Sequence, residues 1–208
     1  MQIKIDLKII IFIIVFLLTK QIGMYSLIML FVFIHEIGHL LCGILLGYIP
    51  KALNITPFGI SIVFQNYKSK ENIHLKKILI ALAGPMTNIL IVILSNLLLS
   101  RNEFFNEVVY SNLLIAIFNM ITIYPLDGGR ILKSMVEMKY DKIIAEKISI
   151  KINKILIIIV TAISSIFVLY IKNIAIVFAL CYLWTIVIIE HKKSKIKIRA
   201  YETIKIKN

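Results

Sequence analysis

Phe33-Ile34-His35-Glu36-Ile37-Gly38-His39-Leu40-Leu41 sets two imidazoles and a carboxylate in the middle of an otherwise apolar run, Ile22–Gly47. A bilayer-spanning helix needs about 20 mostly apolar residues, so this run reads as a span. Ionisable groups inside a span are expensive, and each is a functional hypothesis. On a helix, residues i and i+4 differ by about 40° in azimuth and about 6 Å in rise. His35 and His39 can therefore hold one metal ion, while Glu36 projects beside them to hold a water rather than the metal. Zinc lowers the pKa of such a water to about 7, and a carboxylate can take its proton and pass it to a leaving amine. Gly38 lets another backbone approach this face closely. The competing interpretation is a polar cluster that glues helices together.

The surroundings agree with a membrane setting. Of 208 residues, 60% are hydrophobic and only 17% are charged. Soluble domains are about half apolar and about a quarter charged, which excludes both a water-soluble globule and a disordered tail. Lys and Arg outnumber Asp and Glu by 24 to 11, a net charge of +13. In so apolar a chain that excess faces the anionic headgroups of a lipid bilayer, and no nucleic acid is expected as a partner. Cys42 and Cys181 lie in apolar runs, which argues against a disulfide framework.

The pattern predicts an all-α polytopic membrane protein of about six transmembrane helices, with spans at 3–18, 22–47, 78–99, 104–124, 155–171 and 174–189. The first span requires Ile3–Lys8 to extend the short run Ile9–Leu18, with Lys4 and Lys8 snorkelling to the headgroups. Thr19–Gly23 offers no signal-peptide cleavage site. Residues 1–191 form the transmembrane domain and 192–208 a basic tail. With six spans, 21 of the 24 basic residues fall on one face, leaving only Lys20, Arg101 and Lys172 on the other. By the positive-inside rule the crowded face, holding both termini, is cytoplasmic. A five-span alternative merges Ile9–Ile34 and puts Lys4 and Lys8 outside. Between the second and third spans, residues 52–64 are rich in β-branched and aromatic side chains and are broken by Pro57-Phe58-Gly59. That reads either as a short β-hairpin or as a plain surface loop.

Two histidines leave a third metal ligand to find. A metzincin extension would need Gly at 42 and His at 45, where Cys42 and Leu45 stand. Cys42 lies one turn beyond His39 and suits a small buried helix residue better than a ligand. Asp127 ends the fourth span in Tyr124-Pro125-Leu126-Asp127-Gly128-Gly129-Arg130. Pro125 cannot continue a helical ladder and Gly128-Gly129 permit positive φ, so the chain is expected to break and turn there. Such a break is tolerated at membrane depth where it lines a wet cavity or packs on protein. The turn either aims Asp127 at the second span or merely caps a helix with a solvated carboxylate.

His35-Glu36-Ile37-Gly38-His39, Ala83-Gly84-Pro85-Met86-Thr87-Asn88 and the stretch from Asn119 to Arg130 ending in Pro-Leu-Asp-Gly-Gly-Arg resemble the site-2 protease family of intramembrane zinc metalloproteases. Within it the chain is most similar to the stage IV sporulation protein FB branch. The resemblance implies one Zn²⁺ held by His35, His39 and Asp127, Glu36 as general base, and Asn88 as a substrate-binding residue. It also implies hydrolysis of a peptide bond in a membrane-associated protein substrate near the cytoplasmic face of the bacterial cell membrane. The implied substrate class is a sporulation pro-sigma factor, and the implied partners include inhibitory membrane proteins. Thr122 stands where close relatives often carry Pro. The extracytoplasmic loops leave no space for a PDZ domain, and about 19 residues after the last span leave none for a CBS domain. A transporter passing zinc or protons through the same cluster is the rival class. Transporters commonly pair their broken helices, whereas the break at Pro125 has no counterpart.

Overall fold

A computed structural model describes residues 2–18, 20, 22–56, 59–65, 72–171 and 174–207. The chain divides into two compact units, Met1–Met120 and Ile121–Asn208.

The first unit is built on three helices: α2 (Ile22–Leu45), α3 (Ile73–Leu98) and α4 (Glu103–Met120). They pack pairwise around Phe31, Val32, Val108 and Ile115, with Leu27, Ile28, Ile34 and Ile91 against that cluster. Outward-facing positions stay apolar, as at Leu30, Phe33, Leu41, Leu90 and Ile93, which suits hydrocarbon and not water. α2 and α3 approach closely because Gly38 has no side chain: a Cβ there would lie 3.0 Å from the Ala83 carbonyl oxygen. α2 ends where Gly47 takes φ 84°, the left-handed cap that glycine adopts without a Cβ penalty. The chain then enters β2 (Ile49–Thr56), which pairs antiparallel with β3 (Gly59–Gln65). The Phe64 ring sits over Gly43 and beside Tyr48, seating this hairpin on the end of α2. The hairpin expectation therefore holds; Pro57 and Phe58 in its turn lie outside the described residues.

The amino end differs from expectation. Gln2–Ile5 is not helix but strand β1, which pairs in parallel with β2 to give the sheet order β1-β2-β3. Alternating Ile3, Lys4 and Ile5 has the period of a strand, and a ready partner edge decides the outcome. The fold is thus mostly helical with a small sheet rather than all-α. α1 (Lys8–Leu18) has 11 residues. At 1.5 Å per residue it reaches about 16 Å, short of the ~30 Å hydrocarbon core.

In the second unit, α5 (Asp127–Lys139) follows a turn, and α6 (Lys142–Ile171) and α7 (Ile174–Lys207) pair along their length. Residues 127–139, expected as loop, are helical, and α6 begins well before the expected residue 155. Lys147, Lys151 and Lys154 lie on its exposed side, while Ala145, Ser149, Asn153 and Ile157 repeat every four residues on its buried side. The basic tail continues α7 as helix to Lys207. Near the ends of α6 and α7 the buried carboxylate of Glu146 accepts from Lys133 at 2.6 Å and from Ser194 at 2.7 Å. Three described helices are long and apolar enough to cross a membrane, Ile22–Leu45, Ile73–Leu98 and Lys142–Ile166. The chain is a membrane protein; six spans exceed what the described helices support by length and composition.

Candidate metal centre

His35 and His39 lie one turn apart on the buried face of α2, 2% and 3% exposed. Their rings meet edge to face with centroids 4.7 Å apart. Each ring is held through Nδ1. His39 Nδ1 lies 2.6 Å from the Ile80 carbonyl oxygen of α3. A carbonyl only accepts, so His39 Nδ1 carries a proton and donates to it. Pro85, inside the same helix, lacks the amide hydrogen that would bond the Ala81 carbonyl, so the ladder is already incomplete in this turn. His35 Nδ1 lies 2.5 Å from Asn88 Oδ1 and likewise donates to it. The two Nε2 atoms face one another at 3.1 Å.

That pair fits a divalent metal ion. Two imidazole nitrogens on one tetrahedral zinc, each about 2.0–2.1 Å away, lie about 3.3 Å apart. Gly84 completes the pocket wall: a Cβ on it would lie 2.6 Å from His35 Nε2 and against the His39 ring. The Gly of the Gly84-Pro85 motif therefore keeps open the space in front of the nitrogens. Glu36, next on α2, is partly exposed where both histidines are buried.

Asn88 was expected at the substrate. Its amide is 0% exposed and engaged at both ends, with Oδ1 on His35 and Nδ2 donating to Asn112 Oδ1 at 2.8 Å. Asn112, also 0% exposed, donates from Nδ2 to the Val108 carbonyl at 2.8 Å. Sequence reasoning passed over Asn112; a lone amide in an apolar stretch of α4 was its only signal.

Asp127 is placed by a different construction. It opens α5, 4% exposed, with the Arg130 guanidinium 3.7 Å from its carboxylate. The chain does break at Pro125 as expected, but not through glycines at positive φ. Gly128 and Gly129 are helical, and among the described glycines only Gly47 has positive φ. Gly129 is needed for space, because a Cβ there would lie 2.6 Å from the Ile123 carbonyl oxygen. The turn is clamped from α6 by Asn153, whose Oδ1 accepts from the Tyr124 amide at 3.0 Å and whose Nδ2 donates to the Tyr124 carbonyl at 3.2 Å. Lys133 lies 4.8 Å over the Tyr124 ring. Asn153 is a second residue that sequence reasoning missed.

Residues 100–163, which carry Asp127 and its turn, match the pattern of Peptidase family M50. The chain resembles the M50 peptidases. It is 28% identical over 141 residues to Zinc metalloprotease MJ0392 of Methanocaldococcus jannaschii, covering 63% of this chain and 39% of the relative. It is 27% identical over 121 residues to Stage IV sporulation protein FB of Bacillus subtilis, covering 56% of this chain and 41% of that protein. The chain thus spans about two fifths of the length of these curated relatives. Its fold is that of the Site-2 Protease from Methanocaldococcus jannaschii, with a TM-score of 0.68, 22% identity, and coverage of 91% of this chain and 90% of that one.

Proposed function

We propose that the chain is an intramembrane zinc metalloprotease that hydrolyses a peptide bond of a membrane-associated protein near the cytoplasmic face. The observation that carries this reading is the His35–His39 pair, with both Nδ1 atoms engaged and both Nε2 atoms turned to one point. Two imidazoles and a carboxylate suit zinc, and His35, His39 and Asp127 are buried and each offer one ligand atom. Similarity to a zinc metalloprotease and to M50 peptidases supports the same metal and reaction.

His35, His39 and Asp127 would hold the zinc ion, which would supply a Lewis acid that lowers the pKa of water to near neutral. Glu36, beside the pair, takes the proton from the attacking water and returns it to the leaving amine. Arg130, 3.7 Å from the Asp127 carboxylate, neutralises part of its charge. Asn88 orients His35 through Oδ1. Multi-pass insertion with both termini cytoplasmic, a sporulation pro-sigma factor as substrate, and inhibitory membrane-protein partners belong to this proposal, supported by the sporulation relative and the skewed basic residues.

Co-expression with a pro-sigma factor from the same organism in a heterologous host tests it. The wild type should produce the shortened product on a gel and Glu36→Gln should lose about 10²–10⁴-fold in rate while retaining metal. Equal cleavage by the two would remove Glu36 as the base.

A further inference from the structure

The buried face of α6 carries Glu146 and Asn153, seven residues and therefore about 10 Å apart in nearly the same direction. Asn153 grips the Tyr124 backbone and so fixes where α5 begins. Glu146 accepts from Lys133 at 2.6 Å, and Lys133 lies six residues, about 9 Å, beyond Asp127 on α5. One fixed point sets the position of a helix, and a second sets its direction. Glu146 is also tied to α7. Its Oε2 accepts from Ser194 at 2.7 Å, and Lys197 approaches Oε1 at 3.4 Å. Both of those donors belong to the basic tail that continues α7.

We propose that Glu146 is a positioning residue, a carboxylate that fixes the direction of α5, and with it Asp127, by tying Lys133 to the tail of α7. The proposal rests on the protease reading above. Lys133 also lies over the Tyr124 ring, so one ammonium touches both the turn and the carboxylate. The Lys133 and Glu146 side chains are 12% and 8% exposed, a buried pair. Such a pair contributes little net stability beyond what packed apolar groups of similar volume provide. What it adds is a set of bonds with fixed lengths and directions, and these join three helices at one carboxylate. A misplacement of about 1 Å, even one caused far from the chemistry, can cost about 10²-fold in rate. Asp127 sits in the first turn of the helix that Glu146 aims. The tail of α7 is then part of the scaffold behind that turn and not merely a basic extension.

Four variants of the full chain, purified in detergent, separate placement from packing. Glu146→Gln removes the charge at equal volume. The double variant Lys133→Met/Glu146→Leu keeps the site packed without the pair, and it serves if Glu146→Gln does not fold. Ser194→Ala cuts the tie to the tail, and Glu202→Gln breaks the exposed Lys147–Glu202 pair as a control. Hydrogen exchange is read over residues 121–130 and over α2, and cleavage of the pro-sigma factor is resolved into kcat and KM. Glu146→Gln should speed exchange at 121–130 about 10-fold and leave α2 within about 2-fold. Its kcat should fall about 10-fold with KM nearly unchanged. The double variant should melt at or above the wild-type temperature yet keep the low kcat and the fast exchange. Ser194→Ala should move both quantities the same way by about 3-fold, and Glu202→Gln should move neither. A double variant with wild-type kcat and exchange would overturn the proposal, because packing alone would then suffice. Faster exchange in α2 as well as at 121–130 would also overturn it, as the mark of general destabilisation. An unmoved turn in Ser194→Ala would remove the tail from the device and overturn the proposal as stated. A wild type that cuts nothing would defeat the protease reading itself, and exchange at 121–130 would still decide the role of Glu146.

Discussion

The regions around His35 and around Asp127 place their groups in opposite ways. In α2–α4, side chains hold side chains: Asn112 holds Asn88, Asn88 holds His35, and backbone enters at the Ile80 and Val108 carbonyls. At residues 123–129 a side chain holds backbone: Asn153 grips both polar groups of Tyr124, and Asp127 follows from the path of the chain. The difference follows from the groups delivered. An imidazole has two unlike nitrogens, so it must be given a tautomer as well as a position. A carboxylate has two equivalent oxygens and needs only to be put in place. Glycine also serves differently in the two regions. Gly84 keeps a side chain out of the space before the two Nε2 atoms, and Gly129 lets a helix start against the turn before it.

Substitutions can break each half separately. The largest effect is expected from Gly84→Val, whose side chain would occupy the space before His35 Nε2 and the His39 ring. Metal content by mass spectrometry should fall to background, and cleavage with it; metal retained at wild-type levels would refute the role given to Gly84. Next is Asn153→Leu, which strands the Tyr124 amide and carbonyl. Two unsatisfied groups at about 1–3 kcal/mol each should lower the melting temperature and cut cleavage at least 10-fold. The tautomers of His35 and His39 should not move, and a shift in them would mean the halves are not built independently. The smallest effect is expected from Ile62→Pro in β3, the outer strand of the sheet. If β3 takes up an unwound substrate segment as an added strand, cleavage should slow several-fold with zinc retained. Unchanged rates would remove the sheet from substrate binding.

Much of the centre was legible because its signals are local. The His-Glu-x-x-His spacing needs only the 100° per residue of a helix, and the break at Pro125 needs only a missing amide hydrogen. Other features were misread for reasons that are also local. The lysines make the stretch 142–154 read as loop, although Lys147, Lys151 and Lys154 repeat as one face of a helix. Ile3–Ile5 was absorbed into a span because a three-residue alternation is too short to identify a strand without a partner. Asn112 and Asn153 were invisible, since one amide in an apolar helix looks the same whether it steers a ligand or fills a gap.

The sequence by itself determined that this chain lives in a membrane, which helix carries the two imidazoles, and where the backbone must break before Asp127. Composition and helical periodicity act on neighbours within a few residues, and a linear reading captures them. Tertiary structure alone decided which nitrogen of each imidazole the third helix holds, which glycines guard space rather than bend the chain, and what pins the turn. Those outcomes depend on partners such as Asn88, 53 residues beyond His35. In a buried, water-poor interior a polar group depends on such partners, so their identity and polarity set the chemistry.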